Sequence, residues 1–332
     1  MKKILAFALV LCMVFALCTA MASADNKLTI KAAHHTAVDS TFNYGFEAFK
    51  EKIEELSGRT IVVEIYPAGQ LGDQTELIQQ LQTGTIQMAI SSCADVANFA
   101  PTVGVLDVPY MFETKQQAWN AMDGEAGEFF NNYIKDEMGV YVCGWWSGGT
   151  RSVFSSVAPI VTVDDMANLK IRTQPADVHV NSFTALGATV TPIAYTELYS
   201  ALQQKVVDAA ENDPSNFYSM KFYEVCKYYS LTEHIQQVAG SPVMVSTKFY
   251  DGLNDEQRAW FDEAAEYAQT VQRQYVEDSA AEYIELLEKE GVVVNEVEKE
   301  TFIEKIQPFY ESYVYPTYGE DVVNLLRSAP TE

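Results

Sequence analysis

Two arginines carry the most specific chemistry in this sequence. Arg172 lies in Leu169-Lys170-Ile171-Arg172-Thr173, at the end of a predicted strand. Arg151 ends Trp145-Trp146-Ser147-Gly148-Gly149-Thr150-Arg151, a Gly-rich turn that directly follows another strand. A guanidinium gives a carboxylate a permanent charge and a planar two-point fork. Open α/β sheets bind ligands at the carboxyl ends of their strands, so this placement points to capture of a small anion. Tyr195, Trp145 and Trp146 are candidates for apolar walls. Signs of bond-making chemistry are missing. His34, His35, His179 and His234 form no HExxH or other metal-ligand spacing, and no GxSxG elbow, P-loop or GxGxxG occurs. Cys93 lacks the local signature of a catalytic thiol. The residues favour a binding protein without a cofactor. A secreted enzyme with a site built from scattered residues stays open as an alternative.

The elements that must position these residues alternate along the chain. Strand-like runs include Leu28–Ala33, Ile61–Tyr66, Ile86–Ser91, Val140–Trp145, Leu169–Thr173, Val206–Ala210, Val243–Ser246 and Val292–Asn295, with helix-like runs between them. Such alternation predicts α/β lobes with largely parallel sheets. An internal repeat refines the picture. Residues 75–89 read TELIQQLQTGTIQMA and residues 196–210 read TELYSALQQKVVDAA. Each copy is a predicted helix followed by a short strand. Each strand ends in polar residues, Ser91-Ser92 in one copy and Glu211-Asn212 in the other. Two related lobes would bring these ends face to face across a cleft. After Asn254, which can cap a helix with Gln257 at the capping-box position, no Pro or Gly occurs until Gly291. This stretch reads either as two helices with an unmarked break or as one helix of roughly 54 Å crossing both lobes.

The ends and the composition set the compartment. Lys2 and Lys3, the apolar run Ile4 to Leu17 and the small residues Ala22-Ser23-Ala24 form a secretory signal peptide over 1–24, with Asp25 as the expected mature N-terminus. The formal net charge of −24 argues against nucleic acid and anionic lipid as partners. It does not exclude an anionic ligand, because one buried arginine outweighs distant screened charge. Cys93, Cys143 and Cys226 remain in the mature chain, an odd number and no disulfide framework.

The chain also resembles the extracytoplasmic solute-binding subunits of TRAP transporters, the DctP-type family. The resemblance rests on Tyr66-Pro67-Ala68-Gly69-Gln70-Leu71-Gly72-Asp73, Gly148-Gly149-Thr150-Arg151, Leu169-Lys170-Ile171-Arg172, Leu186-Gly187-Ala188, Thr196 to Gln204 and Glu211-Asn212, in that order. It implies a two-lobed periplasmic binding protein fold with hinge strands and a long helix spanning both lobes. The expected division is 25–148 plus about 238–277 for the first lobe and 149–237 plus about 278–332 for the second. The resemblance implies that Arg172 pairs with a ligand carboxylate and that Arg151 adds a second contact. It extends the site to Asn212, Tyr195 and Ser92, with an N-terminal contact near His34 or His35. Its pattern departs where Ala209 replaces a glycine and Asp213 separates Asn212 from Pro214. The implied role is delivery of a small organic acid to TRAP permease subunits by a periplasmic monomer. A binding protein for an ABC importer or a sensor is the alternative.

Overall fold

The computed structural model describes residues 27–236 and 240–332. The expected signal peptide and the lobe boundary expected near 237–238 lie outside the described residues. Short runs rich in apolar residues build a first sheet from β1 (Leu28–Ala33), β2 (Ile61–Tyr66), β3 (Met88–Ile90), β4 (Val140–Trp146) and β10 (Ser241–Ser246), in the order β2-β1-β3-β10-β4, with β3 and β10 buried along their whole length. A second sheet holds β5 (Thr150–Ser155), β6 (Lys170–Thr173), β7 (Thr189–Pro192), β8 (Ala209–Asn212), β9 (Tyr228–Gln236) and β11 (Val293–Asn295), in the order β11-β9-β5-β8-β6-β7. Helices pack around both sheets, which gives the two-lobed α/β architecture.

The sheets are mixed, which corrects the expectation of largely parallel pairing. β10 runs antiparallel to β3 and β4, and β5 runs antiparallel to β8 and β9. These are the strands by which the chain passes between sheets. β4 ends at Trp146 and β5 begins at Thr150; β9 ends at Gln236 and β10 begins at Ser241. Strands that end at the junction and strands that begin there must run in opposite directions. Arg151 is therefore not in a turn. It is the second residue of β5.

The long segment is one unbroken helix, Asp255–Lys289, of 35 residues. At 1.5 Å per residue it reaches about 52 Å. Asn254 and Gln257 close the expected capping box. Near its start, Phe261, Ala264 and Ala268 join the first-lobe core with Phe46 and Phe49. Near its end, Leu287 and Ile284 join the second-lobe core around Phe222 and Tyr229. Between these anchors the helix grips the link from β4 to β5. Gln269 Oε1 accepts from the Trp145 N–H at 2.7 Å, and the Arg273 Nε donates to the Trp145 carbonyl at 2.9 Å. Gln272 accepts from the Ser147 N–H at 2.9 Å and donates to its carbonyl at 2.8 Å. Backbone leaving a sheet loses its ladder partners, and these helix side chains replace them.

Candidate functional site

The repeat folds as two equivalent units that meet between the lobes. The first runs from helix Gln74–Thr83 through β3 to a short helix, Cys93–Ala97, capped by Ser92. The second runs from helix Leu198–Gln203 through β8 to Pro214–Ser219, capped by Asp213. A small cavity of about 20 Å³ lies where the two units converge. Its walls include His35, Gln74 and Ser92 from the first lobe and Arg151, Tyr195 and Asn212 from the second. Five of the residues singled out from the sequence thus share one cavity. Gln74 was missed, although the repeat carried the signal: its offset makes Gln74 the counterpart of Tyr195.

Arg151 is held by a dense set of acceptors. Its Nε donates to Glu211 Oε2, and its Nη2 donates to Glu211 Oε1 and to the Glu211 carbonyl, both at 2.8 Å. Its Nη1 donates to Asn212 Oδ1 at 2.9 Å. That fixes the Asn212 amide with its Nδ2 toward the Tyr195 hydroxyl, 3.4 Å away. Tyr229 donates its hydroxyl to the Asn212 carbonyl at 2.8 Å. Asn212 is thereby fixed despite Asp213 intervening before Pro214. Burial of the Glu211 carboxyl, the largest single influence, favours its neutral form, but the Arg151 charge and the hydrogen bonds from His234 and Arg151 together outweigh it and hold the carboxyl well below its usual range.

Arg172 is different. It is not among the residues that line the cavity; it is 1 % exposed, with its guanidinium carbon 5.9 Å from the centroid of the ring of Tyr195, which does line it. Its Nε donates to the Ile193 carbonyl at 2.8 Å. Its Nη1 is buried without a partner, and among the described residues no carboxylate lies within ion-pair distance. Burial pulls its pKa down to about 10; the Glu211 charge opposes this and the Arg151 charge adds to it. Trp146 is not brought to the cavity. It packs in the first-lobe core, 4.8 Å from Phe46 between ring centroids. A Cβ on Gly45 would come within 2.5 Å of the indole, so glycine there lets the Thr41–Leu56 helix close over it.

All four histidines are buried, and His35 lines the cavity. His179 hydrogen-bonds Asp107 at 3.1 Å, with both side chains fully buried. His35 stands edge-on to Tyr195 with centroids 5.2 Å apart. Burial lowers the pKa of His34 to about 4 and that of His35 to about 3, and it lowers that of His234 too. Each folds neutral, whereas the unfolded chain takes up protons near pH 6.5. Their contribution is fully present above that pH and is lost as the pH falls toward the folded values. We expect the urea midpoint to drop between pH 7 and pH 5, at up to about 1.4 kcal/mol per pH unit for each histidine. A flat profile over that interval would refute neutral burial.

A family model for bacterial extracellular solute-binding proteins, family 7, matches residues 32–316. The chain belongs to this family. Among its relatives, the C4-dicarboxylate-binding periplasmic protein of Rhodobacter capsulatus is 32% identical over 241 residues, covering 71% of this chain and 70% of that protein. A TRAP periplasmic solute-binding protein from Polaromonas sp. JS666, bound to D-erythronate, superposes with a TM-score of 0.87 at 29% identity, covering 92% of this chain and 100% of the other. Another, from Sulfitobacter sp. NAS-14.1 with β-D-galacturonate, gives 0.86 at 32% identity, covering 91% and 100%. The protein is a TRAP-type solute-binding protein and not an enzyme, in line with the sequence resemblance. No helix among the described residues is long and apolar enough to cross a membrane.

Proposed function

We propose that this solute-binding protein captures a small organic acid in the cavity between its lobes. The carboxylate docks against Arg172, with Arg151, Asn212 and Tyr195 beside it and Ser92 and His35 on the facing wall. The observation that carries this reading is the buried Arg172 Nη1, which has no partner. A buried cation without a counter-ion is unfavourable, and an incoming carboxylate supplies both charge and acceptor. Structural relatives bound to D-erythronate and β-D-galacturonate support a hydroxylated acid. The role that follows is delivery of the acid, from a periplasmic monomer exported by a cleaved signal peptide, to TRAP permease subunits. Calorimetric titration with a panel of carboxylic acids and their neutral analogues tests the reading. Saturable binding of the acids alone is expected. A panel in which no carboxylate binds, or in which neutral sugars bind equally, would sink it.

A further inference from the structure

The first-lobe wall of the cavity has a hydrogen-bond pattern that can be solved from fixed donors. The Ser92 backbone N–H can only donate, and it donates to Gln74 Oε1 at 2.7 Å. Ser91 Oγ donates to the same oxygen at 3.1 Å. The Gln74 amide is thus oriented, and its Nε2 donates to Asp95 Oδ2 at 2.7 Å. The Asp95 backbone N–H donates to Ser92 Oγ at 3.2 Å, while that hydroxyl donates to Asp95 Oδ2 at 2.8 Å. Two donors converge on one carboxylate oxygen. Burial pushes the Asp95 pKa up, and the Ser92 hydrogen bond and the Arg172 charge oppose that by favouring the ionised form. Asp95 is buried behind Ser92 and Gln74, with no cation among the described residues within ion-pair distance. The equivalent position in the second copy of the repeat is the uncharged Asn216.

The capacity left over defines what this wall reads. Ser92 Oγ has spent its proton on Asp95 and one lone pair on the backbone, so it keeps a single lone pair. Gln74 Oε1 is fully used, and its Nε2 keeps one N–H. One acceptor beside one donor matches an alcohol, which both donates and accepts. An ionised carboxylate only accepts. It would meet the Ser92 lone pair and the Asp95 charge at close range.

We infer that Gln74 and Ser92, set by the Asp95 carboxylate behind them, form a hydroxyl-reading wall that admits acids with one carboxylate and rejects those with a second at the far end. Asp95 is a positioning residue that acts through Ser92 and Gln74. The inference rests on the organic-acid reading above and adds the identity of the ligand's other end.

Matched acids that differ only by oxidation of the terminal CH2OH to a carboxylate provide the test: galactonate against galactarate, and D-erythronate against meso-tartrate. Calorimetry on the wild type should favour the monoacid of a pair by about 100-fold or more, the scale of like-charge juxtaposition in a buried site. Asp95→Asn keeps the size and an acceptor but removes the charge. It should narrow the ratio about tenfold or more. A purely structural role for Asp95 would weaken both members alike and leave the ratio in place. Ser92→Ala gives an independent arm: removing the lone pair should weaken the monoacid more than the diacid. Equal wild-type affinity within the pairs, or a ratio unchanged by Asp95→Asn, overturns the inference while leaving the organic-acid reading intact. A wild type that binds none of these and no other carboxylate overturns both.

Discussion

Arg172→Met removes acid binding while the unliganded protein melts at the same temperature or higher. The two effects have opposite signs because the guanidinium is unfavourable in the empty protein and essential in the loaded one. Burial pulls its pKa down to about 10, so the empty fold disfavours the charge it holds. Methionine fills a similar volume without bringing a charge into the second-lobe core. In the loaded protein the same substitution leaves a buried carboxylate without its cation. Breaking such a pair costs roughly 3–5 kcal/mol, or about 10² to 10⁴ in affinity. Calorimetric titration reads the affinity and scanning calorimetry of the empty protein reads the stability. Affinity within about tenfold of wild type would remove Arg172 from the site.

Glu211→Ala, by contrast, destabilises the protein before any ligand is added, by about 3–5 kcal/mol. The substitution strips Arg151 of its two-point carboxylate partner in a fully buried setting. His234 Nε2 stands 3.7 Å from the same carboxylate and loses its neighbour too. Replacing both charges at once, in Arg151→Met with Glu211→Leu, leaves no orphan charge and should recover most of the loss. The depressed Glu211 pKa also sets a pH sense. Its stabilisation is present above the ordinary carboxylate value of 4.5 and is lost as the pH falls through the lower folded value. Urea denaturation of the single and double variants measures both. A single variant as stable as wild type would show that Arg151 needs no counter-charge.

Much of this arrangement was legible in the sequence, and the failures have physical causes. Arg172, Ser92 and Asn212 were findable because short apolar runs end at them, and the repeat places Ser92 and Asn212 within one residue of matched positions. β9 escaped because its inward-facing residues Ser230, Thr232 and His234 are polar, which inverts the expected alternation. β5 escaped for the same reason, since Arg151, Ser152 and Ser155 are buried in it. Arg151 in β5 and His234 in β9 hold Glu211 and Asn212, so the least strand-like sequence lies beside the site. Trp146 was misplaced because period two turns it away from Trp145, toward the first-lobe core. Glu211 was quoted as part of a motif, but nothing local shows that an arginine 60 residues earlier would reach back to it.

The first sheet also imposes an order on biosynthesis. Its β10 sits between β3 and β4 although it is made long after either. The helix that covers the same lobe is made later still, and the last strand of the other sheet, β11, follows that helix. A ribosome-bound chain that has finished β4 therefore holds a sheet with an open slot at its centre. Neither half can close until nearly the whole polypeptide has emerged. Such late, long-range completion predicts slow folding relative to chain growth.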